Sequence, residues 1–351
     1  MTDLRALCNK LPLVPRPPFS AFVGWWKYLP SQPDSTVDFW QSYLVGAKLP
    51  EWPSRAGLGP DEALSTRAFR AIDWRGDLKM LSTKHAVTPA IASRVAVAVA
   101  LAHHAKQDEV SLGVVRSGRD VDLTGADEMI GPCVSVLPSR LAVKPETSLL
   151  ELMKIEGQAD RRARRHQAVT LPQLAKWCSL PARDGLFDIL VTFQSLALHD
   201  DEEDERKPVW PLRQPPARIF MPTGYSLSFE ITPNRERDDE LELAVFYDAR
   251  VVSSEEVDEV VGSVGRVLEW MTVAPCTEVG KLYLAEPGQA WEIRRPVQPD
   301  GEAHDGVSQA ELAKLVSAVR VAWAATLRLD GEDVGVDDTF ASFGGDSVRL
   351  R

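Results

Sequence analysis

Long apolar runs are what this sequence most plainly lacks. The longest, Val95–Ala102, falls far short of the ~18 residues that a membrane-spanning helix needs. The opening stretch, MTDLRALCNKLPLVPRPP, has no sustained apolar core and no small-residue cleavage pattern, so no secretory leader is expected. Cysteine is scarce. Cys8, Cys133, Cys178 and Cys276 stand far apart, with no Cys-x-x-Cys and no spacing suited to a metal. Scattered thiols of this kind fit a reducing, cytoplasmic setting. Positive charge is also in deficit: the formal net charge is −11, so neither nucleic acid nor an anionic membrane is expected as a partner.

Signature strings are missing too. There is no phosphate loop of the Gly-x-x-x-x-Gly-Lys type, no Gly-x-Gly-x-x-Gly and no His-Glu-x-x-His. Gly262-Ser263-Val264-Gly265 is one residue too tight for a nucleophile elbow and lies inside a helical pattern. Neither asparagine, Asn9 or Asn234, begins a glycosylation acceptor. These absences argue against ATPases, dinucleotide enzymes and ordinary hydrolases. What is present is ordinary for a folded chain: 351 residues, 44% apolar and 26% charged, room for about two domains.

Residues 11–19 carry four prolines and read as an extended lead-in. A helix is expected near 35–46, with Phe39, Trp40, Tyr43 and Leu44 on one face. Thr88 has the right chemistry for an N-cap and Pro89 for the first helical position. The stretch that follows, IASRVAVAVALAHHAK, is apolar nearly all round, which predicts a buried helix. Strands are expected at 109–115 and 186–194, the second apolar on both faces and so central. YSLSFEI (225–231) and LELAVFY (241–247) alternate and are expected to pair as a hairpin across a short polar connection. Ser253 and Glu256 have capping-box spacing at the head of an apolar stripe from Val257 to Met271. Residues 285–307 are rich in Pro, Gly and charge without periodicity and read as a linker. A further amphipathic helix is expected from Ser308 to about 328.

Two charge runs have plain readings. The acidic run 200–205 reads as a solvated surface loop. Arg161, Arg162, Arg164 and Arg165 end a helical pattern that begins near Ser148, where cations suit the negative end of the dipole. A contact to an acidic carrier protein or a phosphate is the alternative for those arginines.

The most specific string is Asp337-Asp338-Thr339-Phe340-Ala341-Ser342-Phe343-Gly344-Gly345-Asp346-Ser347. Gly344 and Gly345 would let another protein approach the backbone closely, and Ser347 would lie where a helix begins, a position that favours phosphate. This segment resembles the peptidyl carrier domain of nonribosomal peptide synthetases. Ala341 replaces the family's second aromatic and Phe343 its leucine, both packing changes. The resemblance implies that Ser347 carries covalent 4′-phosphopantetheine, with Gly345 and Asp346 beside it, and that a phosphopantetheinyl transferase installs the arm. Only Val348–Arg351 follow that serine, so the remaining carrier helices are expected to lie outside this chain.

Residues 15–285 resemble the C-terminal lobe of the synthetases' condensation domain. The resemblance runs through residues 17–46, with Trp40 at the family's aromatic position, and through Ser117-Gly118-Arg119, Gly125, Ile130-Gly131-Pro132, Pro138 and Arg140. Ser135 stands where asparagine is usual. Arg165-His166-Gln167 and Leu186-Phe187-Asp188 continue the motifs in order. Read singly, Arg119 and Arg140 are expected to anchor loops or form salt bridges. The implied architecture is α/β, a chloramphenicol-acetyltransferase-like lobe with a mixed sheet and flanking helices, followed by the start of an α-helical carrier. The divisions are 1–284, a linker at 285–307, and 308–351.

His103-His104-x-x-x-Asp108-Glu109 imitates the family's His-His-x-x-x-Asp-Gly. Here it ends a helix and precedes a strand, Glu109 lacks glycine's freedom, and the family's motif belongs upstream of everything matched. We therefore read His103 and His104 as a helix end and assign no catalytic residue in this chain. The resemblance implies a part of a synthetase that condenses carrier-bound thioesters, with other synthetase domains and carrier proteins as partners. A carrier directly after a condensation lobe, with no adenylation domain between, resembles the iterated condensation–carrier units of fungal siderophore synthetases, which implies a siderophore pathway. The alternatives are a non-catalytic carrier-docking protein and, more remotely, a coenzyme-A acyltransferase using His104 as base.

Overall fold

A computed structural model describes residues 12, 15–28, 34–47, 52–53, 67–76, 78–179, 186–194, 225–233 and 240–282. All belong to one compact unit, Met1–Pro296. The acidic run 200–205, the linker and the whole segment from 308 lie outside the described residues.

Within the unit the described elements run α1 (Phe19–Tyr28), α2 (Asp34–Leu44), β1 (Arg67–Arg75), α3 (Lys79–His85), α4 (Pro89–Ala105), β2 (Glu109–Arg116), β3 (Ser135–Ala142), α5 (Leu149–Arg164), α6 (Leu171–Trp177), β4 (Ile189–Phe193), β5 (Leu227–Pro233), β6 (Glu240–Asp248) and α7 (Ser254–Val273). The strands make one six-stranded mixed sheet in the order β1-β6-β5-β4-β2-β3. β4 pairs parallel to both β2 and β5, while β1/β6, β5/β6 and β2/β3 are antiparallel. The expected hairpin is present as β5–β6, with Phe229 opposite Val245, and β4 is interior as its apolar run requires.

α4 begins as its residues dictate. The Thr88 hydroxyl accepts from the Ile91 amide and Pro89 takes the first turn. Every residue from Ile91 to Ala102 is buried, because α4 packs on α5, α7 and β2 at once. Lys106, at φ 53°, closes its last turn. α7 opens on a reciprocal capping box between Ser253 and Glu256, and Val257, Val260, Val261, Val264, Val267, Leu268 and Met271 pack into the same main core. A second cluster joins Trp40 and Leu44 of α2 to Leu137, Ala163 and Leu174, and a third gathers Phe22, Met129 and Cys133. Helix α1 directly follows the proline-rich lead-in; sequence periodicity had indicated neither it nor β1.

Candidate functional site

The motif residues converge on the loop between β2 and β3 and on the ends of α2 and α5. Arg119 folds that loop around itself: its guanidinium donates to the carbonyls of Ala126 (3.1 Å), Met129 and Gly131 (3.2 Å). Gly118 has φ +63°, and a Cβ there would sit 1.8 Å from the Cys133 carbonyl oxygen, so only glycine fits. At Gly131 a Cβ would meet the Phe19 ring at 2.2 Å, so glycine is what lets α1 close over the loop. Ile130 and Val134 point outward, 65% and 61% exposed.

The loop is also held from below. Gln167 donates to the Asp120 carbonyl (3.2 Å), and Arg164 pairs with the Asp120 carboxylate (3.2 Å). His166 stacks on Phe39 with centroids 4.4 Å apart and shares a 2.9 Å hydrogen bond between its Nδ1 and Thr36 Oγ1. Its carbonyl accepts from Trp40 Nε1 (2.9 Å). Burial, and then the neighbouring Arg165 charge, hold the His166 imidazole below its ordinary pKa. Arg140 bonds Glu109 (2.7 Å) and the carbonyls of Val45 and Gly46, tying the end of α2 to the sheet edge. Arg119 and Arg140 therefore anchor loops, as expected of each taken singly.

Beneath lies a buried ionic network that sequence reasoning missed. Arg94 of α4 donates to Glu156 and to Asp160 (2.8 Å) of α5, Arg116 of β2 donates to Asp160 (2.8 Å), and Ser139 of β3 donates to Glu156 (2.9 Å). Arg94, Glu156 and Asp160 are 7%, 1% and 5% exposed. Burial opposes ionisation of Asp160, but the Arg94 and Arg116 guanidiniums outweigh it and hold that carboxyl well below the usual carboxylate range. Burial pushes Glu156 up against the pull of Arg94. Burial likewise raises Tyr43, assisted by the Glu156 charge. The one signal in the sequence was an arginine inside an otherwise apolar helix.

His103 and His104 sit in the last turn of α4. The His104 ring lies tilted by 57° against Trp52, with centroids 4.4 Å apart, and approaches Glu256 (4.0 Å) and Glu259 (3.8 Å) of α7. Its neighbours are those of a helix end clamped onto another helix. Asp188 accepts from both the amide (3.1 Å) and hydroxyl of Ser226, joining the start of β4 to the residue before β5. Among the described residues no group of His, Cys, Asp or Glu could hold a metal. Gly345, Asp346 and Ser347 lie outside the described residues. Their chemistry fits the implied group, since a phosphodiester link to pantetheine needs a hydroxyl and Ser347 supplies one.

The class this mixed sheet and its flanking helices define is the condensation-domain fold, as the comparisons with known proteins show. The family described as "Condensation domain" matches residues 2–293, and "Phosphopantetheine attachment site" matches 317–350. The chain belongs to the condensation-domain family, and its second region is that of a carrier with covalent 4′-phosphopantetheine. Similar curated proteins include nonribosomal peptide synthetase agiA of Aspergillus flavus, 37% identical over 131 residues, 37% of this chain and 2% of that protein. Nonribosomal peptide synthetase easA of Emericella nidulans is 23% identical over 348 residues, 97% of this chain and 5% of that protein. The crystal structure of holo T3CT shares the fold at TM-score 0.62 and 20% identity, over 79% of this chain and 60% of that one. The condensation domain from monacolin K polyketide synthase MokA does so at 0.59 and 17%, over 78% and 66%. The chain thus spans a few per cent of the curated relatives' length and under two thirds of these solved structures'.

Proposed function

We propose that this chain works as part of a nonribosomal peptide synthetase. In this reading residues 1–284 form the C-terminal lobe of a condensation domain, 285–307 a linker, and 308–351 a carrier segment. Ser347 is the attachment residue, and Gly344, Gly345 and Asp346 shape the approach of a phosphopantetheinyl transferase. The observation that carries the reading is the succession of a condensation match and an attachment-site match along one chain, with Gly-Gly-Asp-Ser inside the second. When bound, the arm supplies a thiol that holds acyl groups as thioesters. The described residues contribute a rigid wall: Arg119, Gln167 and Arg164 fix the β2–β3 loop, and the Arg94 network fixes α5 beneath it. Holding two tethered reactants against such a wall replaces a bimolecular encounter with an oriented one. Other synthetase domains and carrier proteins are the partners, and a peptide metabolite, a siderophore among the candidates, is the product class. A cytoplasmic setting agrees with the scattered thiols; among the described residues no helix is long and apolar enough to cross a membrane.

Intact-mass spectrometry after incubation with coenzyme A and a promiscuous transferase tests the attachment residue. One phosphopantetheine should be gained, on a chain extended through further carrier helices if the 351-residue chain is a poor substrate, and Ser347→Ala should gain none. A mass gain that survives Ser347→Ala sinks the assignment. The competing reading is a carrier-docking protein without catalysis, favoured by the motif arginines serving as loop anchors. Amide product from loaded donor and acceptor carriers would exclude it.

A further inference from the structure

We infer that the exposed end of α5 is a docking surface for an acidic protein face supplied by another polypeptide. The inference deepens the reading proposed above and rests on it. Helix α5 has two unlike sides. Its buried side places Glu156 and Asp160 among Arg94 and Arg116, which fixes the helix on the sheet. Its exposed side places Gln158, Arg161, Arg162 and Arg165 around an open concavity of about 340 Å³. Arg164, in the same turn, is engaged by Asp160 (2.9 Å) and Asp120 (3.2 Å). Among the described residues, Arg161, Arg162 and Arg165 meet no carboxylate.

Three guanidiniums at i, i+1 and i+4 repel one another, a small cost that neighbouring carboxylates usually offset. The helix dipole favours the last-turn cations Arg161, Arg162 and Arg164, with Arg165 at the cap. At the surface that preference is weak, and it leaves the forked donors of Arg161, Arg162 and Arg165 without an acceptor among the described residues. A chain with 51 acidic and 40 basic residues has carboxylates enough to neutralise the patch. Of the described ones, Asp120 and Asp160 reach only Arg164, and none pairs with Arg161, Arg162 or Arg165.

The occupant follows from the chemistry. Among the described residues no buried polar side chain lines the concavity, so a small anion would stay hydrated there. A face carrying several carboxylates can instead engage three forked guanidiniums together, each capable of two parallel bonds. In the proposed reading the partners are carrier regions, and their charge has the right sign. Residues 329–347 of this sequence hold Asp330, Glu332, Asp333, Asp337, Asp338 and Asp346 with no lysine or arginine. A carrier region of such composition on another polypeptide complements the patch.

The test measures binding of the full chain to a free-standing acidic acyl carrier protein at low salt and at about 0.3 M salt, by biolayer interferometry. The variants are Arg161→Glu/Arg162→Glu/Arg165→Glu, the corresponding Gln triple, and a charge-matched control, Lys84→Glu/Lys144→Glu/Lys281→Glu. Circular dichroism verifies that each is folded. The Glu triple should weaken binding by about tenfold or more, the Gln triple by less, and the control by under about threefold, with wild-type affinity falling as salt rises. Glu-triple binding equal to wild type overturns the surface while leaving the proposed function standing. Wild type that binds the carrier at neither salt overturns the surface, while the phosphopantetheine gain on Ser347 decides the proposed function separately. Full competition by coenzyme A alone replaces protein docking with a phosphate subsite and overturns the inference.

Discussion

At the scale of single residues, the molecule relies on buried charge where the sequence suggests only apolar packing. Asp160 is the pivot, since it satisfies both Arg94 and Arg116. Its folded-state pKa lies below the unfolded value of about 3.9. It therefore contributes stability that is fully present above that value and is lost as pH falls toward the folded pKa. Glu156, shifted upward, acts with the opposite sign, so Asp160 should dominate the acid limb. Asp160→Asn should cost about 3–5 kcal/mol at pH 7, because it leaves two buried guanidiniums short of charge. Urea unfolding from pH 7 down to about 3 should then show a flatter acid limb than wild type. An unchanged limb would remove Asp160 from the account. Gly118 makes a second case. With φ +63° and the Cys133 carbonyl 1.8 Å from an added Cβ, Gly118→Ala should lower stability by at least about 1 kcal/mol and loosen the loop that Arg119 gathers. A thermal midpoint equal to wild type would contradict this.

At the scale of elements, what was legible was whatever local chemistry encodes. Thr88-Pro89 marked the start of α4, Ser253 and Glu256 the start of α7, and alternation the β5–β6 pair. The α7 cap is testable: Ser253→Ala removes the hydroxyl that accepts from the Glu256 amide at 3.2 Å and should cost about 1 kcal/mol, while Ser253→Asp should restore most of it. Equal loss in both variants would mean that the cap is not the cause. Elements without such signals went unread. FSAFVGWWKY (α1) is aromatic and lacks a polar N-cap, and RAFRAIDWR (β1) mixes arginines into a strand at the edge of the described sheet, beside β6. The parallel joins β2–β4 and β4–β5 link residues far apart in sequence, and no local pattern carries such pairings. In the site, the ordered motifs located the loop, and geometry then showed what its arginines hold. The partners of Arg94 come from another helix 62 and 66 positions away, beyond the reach of periodicity.

At the scale of the whole molecule, charge is the quantity that remains. A net charge of −11 means that surface carboxylates repel one another across the fold, which opposes compactness at neutral pH. Salt screens exposed charges over about 10 Å at 0.1 M but hardly reaches a buried network such as Arg94–Asp160. The exposed pairs that salt would weaken, Lys281–Glu278 for example, are worth at most about 1 kcal/mol each. Relief of repulsion should therefore prevail, and the thermal midpoint at pH 8 should rise by a few degrees as sodium chloride goes from about 0.01 to 0.15 M. Near the pI of about 5.2 the net charge vanishes and the same addition of salt should leave the midpoint almost unchanged. Scanning fluorimetry over both variables separates the two regimes. A midpoint that falls with salt at pH 8 would mean that exposed ion pairs outweigh the repulsion, and that the surface is organised by pairing more closely than its net charge implies.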